Sequence, residues 1–243
     1  MNQNITKAIL PLAALSCFHG KMLAQDAARP NILYIMCDDH AMQAISAYGS
    51  PISKLAPTPN IDRLAQRGML FRNCFVENSL STPSRACLMT GLYSHQNGQR
   101  QLAEGIDTTK TFVPELMQKA GYETGIVGKW HMMCRPKGFD YYYILDGQGK
   151  YYNPNFCTTG NYGKYKQEMG YATTLTTQHA IEFLDHRQKD KPFCLYVHHK
   201  APHRSWFAEP KHIGMYDGVD FPLPKTFWDN YENRGSAAKT QKM

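Results

Sequence analysis

A chain of 243 residues with 42% hydrophobic and 19% charged residues has the composition of a soluble globular protein, enough for one good core: one domain, or part of one. Lys and Arg outnumber Asp and Glu by 27 to 20, a formal charge of +7, yet they are scattered and no run of five occurs. That balance suits an anionic substrate and excludes the basic tracts of a nucleic-acid binder, so no nucleic-acid partner is expected.

Residues 1–24 read as a targeting segment. Lys7 precedes the apolar run 8–15, which is far too short to span a bilayer, and cleavage after Ala24 suits a signal peptidase. The alternative is a lipoprotein signal ending before Cys17, which would then carry a lipid anchor. Either reading exports residues 25–243 to the periplasm or cell surface of a bacterium. No later stretch is apolar enough for a membrane span.

Residues 31–36 form a short run of strand formers that leads into Asp38 and Asp39, and a nearly all-apolar strand predicts a parallel sheet buried on both faces. Residues 58–68 read as a helix with a Pro start and a Gly stop, and 69–76 as a second strand. Residues 81–91 follow as another helix. Pro83 suits its first turn and Gly91 the position just past its end, which sets Ser81 among free N–H groups at the positive end of the helix dipole. A plain Ser N-cap is the bland alternative.

Residues 113–120 are helical, and strand 122–127 delivers Lys129 and His131. Residues 138–170, rich in Tyr, Gly and Asn, read as a long loop insertion near the active edge. Helix 174–186 carries Ala180, Ile181, Phe183 and Leu184 on its apolar side, and strand 192–198 delivers Lys200 and His203. The alternation predicts an α/β domain with a mostly parallel central sheet flanked by helices. Asp38 with Asp39, Lys129 with His131, and Lys200 with His203 all follow strand C-termini, where open α/β sheets bind ligands.

The six cysteines after Cys17 show no C-x-x-C pair, which argues against a zinc site or disulfide scaffold; Cys37 and Cys194 read as buried thiols. Two adjacent carboxylates at a strand end stay ionised cheaply only beside a cation, and with oxygen donors alone a hard ion such as Ca²⁺ or Mg²⁺ is expected. A solvated turn is the alternative. Lys129 and His131, two apart on extended backbone, point the same way and suit anion binding plus proton transfer. His198 reads as a core histidine, and His203, after Pro202 on a loop, as the better site candidate.

Together these residues carry a resemblance. Arg29-Pro30-Asn31-Ile32-Leu33 leading to Asp38-Asp39, Ser81-Thr82-Pro83-Ser84-Arg85 with Leu88-Met89-Thr90-Gly91, Gly128-Lys129-Trp130-His131, and Lys200-Ala201-Pro202-His203 resemble the type I sulfatases, in order and from residue 31 onward. The resemblance implies an alkaline-phosphatase-like fold and a formylglycine made from Ser81 by a maturase. Its hydrate attacks the sulfate sulfur and forms a covalent intermediate that collapses back to the aldehyde. It further implies Asp38, Asp39 and Ser81 on a Ca²⁺, Arg85 holding the hydrate, and Lys129 on hydrate and sulfate. His131 would regenerate the aldehyde, and His203 would contact the sulfate and protonate the leaving oxygen. The stretch 146–154, Asp-Gly-Gln-Gly-Lys-Tyr-Tyr-Asn-Pro, together with 198–203, resembles the branch acting on 6-O-sulfated N-acetylglucosamine in mucin-type glycans or glycosaminoglycans.

The family's distal metal ligands, a further Lys and a smaller C-terminal domain find no counterpart here. After His203 there are only Asp217, Asp220 and Asp229-Asn230, so the chain is expected to be truncated before the distal strands. Three readings stand: a carbohydrate sulfatase or its N-terminal part; a phosphodiesterase of the related fold; and a catalytically incomplete fragment of an interrupted gene.

Overall fold

The computed structural model of the chain describes residues 29–102 and 104–240, so the targeting segment 1–24 and Cys17 lie outside the described residues. Six strands form one sheet in the order β1-β6-β2-β3-β4-β5: β1 Ile32–Cys37, β2 Glu123–Gly128, β3 Tyr141–Leu145, β4 Asn155–Thr158, β5 Lys166–Gln167 and β6 Phe193–His199. β1, β6, β2 and β3 run parallel, with Ile35 beside Val197 and Val127 beside both Val197 and Tyr143, while β4 and β5 add antiparallel. The expected α/β architecture holds.

The two faces are packed by alternation along the central strands, because successive side chains of a strand point to opposite sides. On one face Val127, Leu195 and Val197 meet Ala180 and Phe183 of α5 (Ala172–His186). On the other, Ile126, Cys194 and Tyr196 meet Ala86 and Met89 of α2 (Ser81–Thr90), with Phe112 just before the helix Val113–Lys119. α1 (Pro59–Arg67) starts at a Pro and ends before Gly68, as its sequence predicts, and α3 (Ser94–Asn97) and α4 (Val113–Lys119) lie between α2 and α5 in the chain.

Five expectations fail. β1 is not buried on both faces: it is an edge strand, and Leu33 and Ile35 are 50% and 54% exposed. Cys37 is exposed with it, whereas Cys194, on a central strand, is buried. Residues 69–76 form no strand, since among the described residues no strand lies beside them to complete a ladder, and Phe75 and Val76 are exposed. The insertion 138–170 is no mere loop, because it supplies β3, β4 and β5, and Tyr142, Ile144 and Leu145 are buried in the sheet. On α5, Ile181 faces outward, because the sheet contact is narrow and is filled by Ala180 and Phe183.

Candidate functional site

Three parallel strands and one helix converge at a single edge. β1 runs straight into Asp38, whose N–H donates to the Ala201 carbonyl at 3.1 Å and so ties it to the segment after β6. β2 ends at Gly128, where φ is +94° and a Cβ would come within 2.1 Å of the His198 carbonyl oxygen. Only glycine permits that approach. It lets the Lys129 N–H donate to the same oxygen at 2.7 Å, which draws Lys129 across the strand ends.

Ser81 is the first residue of α2, one place inside the cap, which is Leu80; no side chain caps this end. The plain N-cap reading is therefore replaced. Ser81 Oγ lies 3.4 Å from His131 Nδ1 and 3.3 Å from Nε of Arg85, one helical turn on, so the i,i+4 spacing places a guanidinium beside the hydroxyl.

Arg85 is 1% exposed. Its Nη1 donates to the Lys129 carbonyl at 2.8 Å and lies 3.0 Å from His198 Nδ1. Its Nη2 is 3.6 Å from Asp38 Oδ2 and, though buried, has no hydrogen-bond partner among the described residues. Burial pulls the Arg85 pKa down and Asp38 opposes that shift, and the guanidinium stays charged. The Lys129 side chain is fully buried, and its ammonium donates to Asp38 Oδ2 and Gln148 Oε1. Burial lowers its pKa to about 8 against the pull of Asp38.

His131 is half-buried and its pKa is pushed down to about 4, by burial first and then by the Lys129 and Arg85 charges, so it is a neutral imidazole at neutral pH. Its backbone is left-handed, φ +51°, not extended as the sequence spacing suggests, and the Thr82 hydroxyl donates to its carbonyl at 3.0 Å. His203 pairs with Asp39, Nε2 to Oδ2 3.7 Å, and its carbonyl accepts from the Tyr151 hydroxyl. Lys200 is buried, with its ammonium 5.0 Å from the Tyr151 ring centre; burial lowers its pKa, opposed by Asp38 and Asp39.

Asp38, Ser81, Arg85, Lys129 and His131 thus form one contact network, and Asp39 with His203 forms a second pair joined to it through the Asp38–Ala201 backbone bond. As a Ca²⁺ site the expected set Asp38, Asp39 and Ser81 is of the right hard-oxygen kind but too small, since Ca²⁺ takes 6–8 oxygens. Among the described residues no group of three or more His, Cys, Asp or Glu gathers, and Asp38 is engaged by Lys129 and Arg85. The later acidic residues do not reach the site; Asp229, for instance, pairs with Arg234 at 2.6 Å. Sequence reasoning missed Thr82, His198 and Gln148 as contacts of this network. The last had a local signal, a Gln between two glycines after an apolar run.

The chain is similar to known proteins. The sulfatase family model matches residues 30–239. An N-acetylglucosamine-6-O-sulfatase of Bacteroides thetaiotaomicron is 45% identical, aligned over 100% of this chain and 43% of its own. The N-acetylgalactosamine-6-sulfatase of Homo sapiens is 31% identical over 76% of this chain and 42% of its own. A solved structure in complex with its substrate D-glucosamine-2-N,6-O-disulfate superposes with a TM-score of 0.83 at 47% identity, covering 88% of this chain and 43% of that one. The chain therefore spans less than half the length of these relatives, and its helix-flanked sheet is of their alkaline-phosphatase-like fold. Matched by the family model almost throughout and 45% identical to a named sulfatase along its whole length, the chain belongs to the sulfatase family.

Proposed function

We propose that this chain carries the sulfate-binding part of an exported enzyme that hydrolyses the 6-O-sulfate of N-acetylglucosamine in mucin-type glycans or glycosaminoglycans. The carrying observation is the buried pair of cations around Ser81. Arg85 and Lys129 are almost sealed from water, and one guanidinium nitrogen of Arg85, ion-paired with Asp38 at 3.6 Å, makes no hydrogen bond among the described residues, close to an uncapped helix N-terminus. Such an arrangement favours a bound tetrahedral oxyanion. The substrate class rests on the relative named for N-acetylglucosamine-6-O-sulfate and on the neighbour complexed with a 6-O-sulfated glucosamine.

Ser81, once oxidised by a maturase to formylglycine, would supply a hydrated aldehyde as the nucleophile. Arg85, 3.3 Å from the Ser81 hydroxyl, orients that position, and Lys129 neutralises sulfate charge in a site of low dielectric. Neutral His131, 3.4 Å from Ser81 Oγ, is a proton acceptor ready at neutral pH. His203, held by Asp39 and by the Tyr151 hydroxyl, is the donor to the leaving sugar oxygen. Asp38 and Asp39 would hold the Ca²⁺ together with ligands from elsewhere. Overall one water is consumed: the oxygen that joins sulfur would come from the hydrate, the S–O bond to the sugar breaks as the sugar oxygen takes a proton, and sulfate is released as water rehydrates the aldehyde.

Export to the periplasm or cell surface, with Cys17 as a lipid anchor in the lipoprotein variant, belongs to the same reading. No helix among the described residues is long and apolar enough to cross a membrane. A second reading, a catalytically incomplete fragment, is favoured by the short carboxylate set. Mass spectrometry of the Ser81 peptide from the native host separates the two. A loss of two hydrogens trapped by an aldehyde probe, with sulfate release from 6-sulfated N-acetylglucosamine, supports the enzyme. Unmodified Ser81 throughout supports the fragment.

A further inference from the structure

The loop after β3 has the sequence Asp146-Gly147-Gln148-Gly149, and the structure assigns its central side chain to the site. Gly147 and Gly149 have φ of +51° and +70°, and a Cβ at Gly149 would lie 2.8 Å from the Leu145 side chain. The Gly149 N–H donates to the Asp146 carbonyl at 2.8 Å and closes the turn. Two glycines thus fold the loop back so that half-buried Gln148 faces the end of β2, where its Oε1 accepts from the Lys129 ammonium.

An ammonium has donors only, so the amide atom that faces it must be the oxygen. Nε2 is then free of protein partners among the described residues. The same logic applies to Lys129. Of its three donors, Asp38 takes one and Gln148 another, and the tetrahedral geometry of the nitrogen leaves the third with a set direction.

Resting on the sulfate-site reading above, we propose that Gln148 is a further anion-contacting and positioning residue. Its Oε1 aims the Lys129 ammonium at the bound sulfate, and its Nε2 donates to a sulfate oxygen. As a neutral donor it holds the anion without adding charge. The double role demands an amide. A carboxylate at 148 would still brace Lys129 but would repel the anion, and an aliphatic chain would do neither.

The test uses the full 243-residue chain with unmodified Ser81 and inorganic sulfate as the probe, so it needs no maturation. Glutamine side-chain amides are labelled with ¹⁵N, and the Gln148 signal is assigned by its absence from Gln148→Leu. In the wild type that NH₂ signal shifts saturably with sulfate. Gln148→Leu weakens sulfate affinity about 5- to 10-fold, the worth of roughly one hydrogen bond. Gln148→Glu weakens it at least about 30-fold through like-charge repulsion. Each variant is read only where a single cooperative melting transition shows that it folds, and if one variant fails to fold the other decides. Unchanged affinity in a folded variant, or a Gln148 signal that sulfate does not move while the chain binds it, overturns the role of Gln148 alone. A wild-type chain that binds no sulfate overturns the sulfate-site reading and this one with it.

Discussion

Arg85 Nη1 lies 3.0 Å from His198 Nδ1, whose lone pair faces the guanidinium, and the same Nη1 donates to the Lys129 carbonyl oxygen at 2.8 Å. His198 is fully buried, with the rings of Tyr34 and Tyr196 edge-on at 6.0 and 5.9 Å. The site guanidinium is thus held from behind by a core imidazole, not only by the carboxylate in front.

Replacing that imidazole tests the arrangement. His198→Phe leaves a buried donor of Arg85 one acceptor short, and we expect a loss of about 1–3 kcal/mol in stability by urea unfolding. Full wild-type stability in the variant would show that the Lys129 carbonyl suffices.

The same residue makes a pH prediction. Burial and the Arg85 charge, with His199 adding, hold His198 well below the ordinary 6.5, and His131 is down at about 4. Between those values and 6.5 the unfolded chain binds protons that the folded one does not, so stability rises with pH there. The contribution of these histidines is present above pH 6.5 and is lost as pH falls toward their folded values. Urea midpoints should therefore drop between pH 7.5 and 5.5, and the drop should be shallower in His198→Phe. An equal drop in both would remove His198 as a source.

Sulfate affinity should fall as pH rises through about 8, because Lys129 loses its charge there. Calorimetric titrations at pH 7 and 9 would measure this. Lys129→Met should bind sulfate at least about tenfold more weakly, the worth of one charge-assisted hydrogen bond, with the fall near pH 8 abolished. A fall that persists in Lys129→Met would point to another group.

Gly128→Ala should be among the most damaging small changes. Its Cβ would sit 2.1 Å from the His198 carbonyl oxygen at φ +94°, so the ends of β2 and β6 must separate. We expect a cost of at least about 2 kcal/mol and weakened sulfate binding, since Lys129 moves with the strand end. Wild-type unfolding midpoints and sulfate affinity would refute the close approach.

On the opposite face, Phe183 is 4% exposed between Val127, Leu195 and Val197. Phe183→Ala should cost about 3–5 kcal/mol through lost burial and the cavity left behind, with sulfate affinity little changed in the folded fraction. A cost under about 1 kcal/mol would show that α5 is loosely held.

Much of this was legible before the fold. Strand β2, the start of α2 and the Pro59–Arg67 helix are local, since apolar runs, a proline in the first turn and a glycine stop act within a few residues. Ser81 and Arg85 were legible for the same reason, being one helical turn apart. Strand β3 was not: its three tyrosines sit among glycines and asparagines, and what makes Tyr141–Leu145 a strand is pairing with β2 and with β4. Residues 69–76 show the converse, a strand-like composition without a neighbour.

The sequence alone determined the chemistry available: two carboxylates, a serine before a proline, and lysines and histidines placed after strands, all from residue type and short-range periodicity. Only the tertiary structure decided how they meet. It seats Lys129 between Asp38 and Gln148, backs Arg85 with His198, and leaves β1 an exposed edge. Those contacts join residues 19 to 113 positions apart, a separation that no local pattern encodes, and they depend on the strand order that the packed core selects.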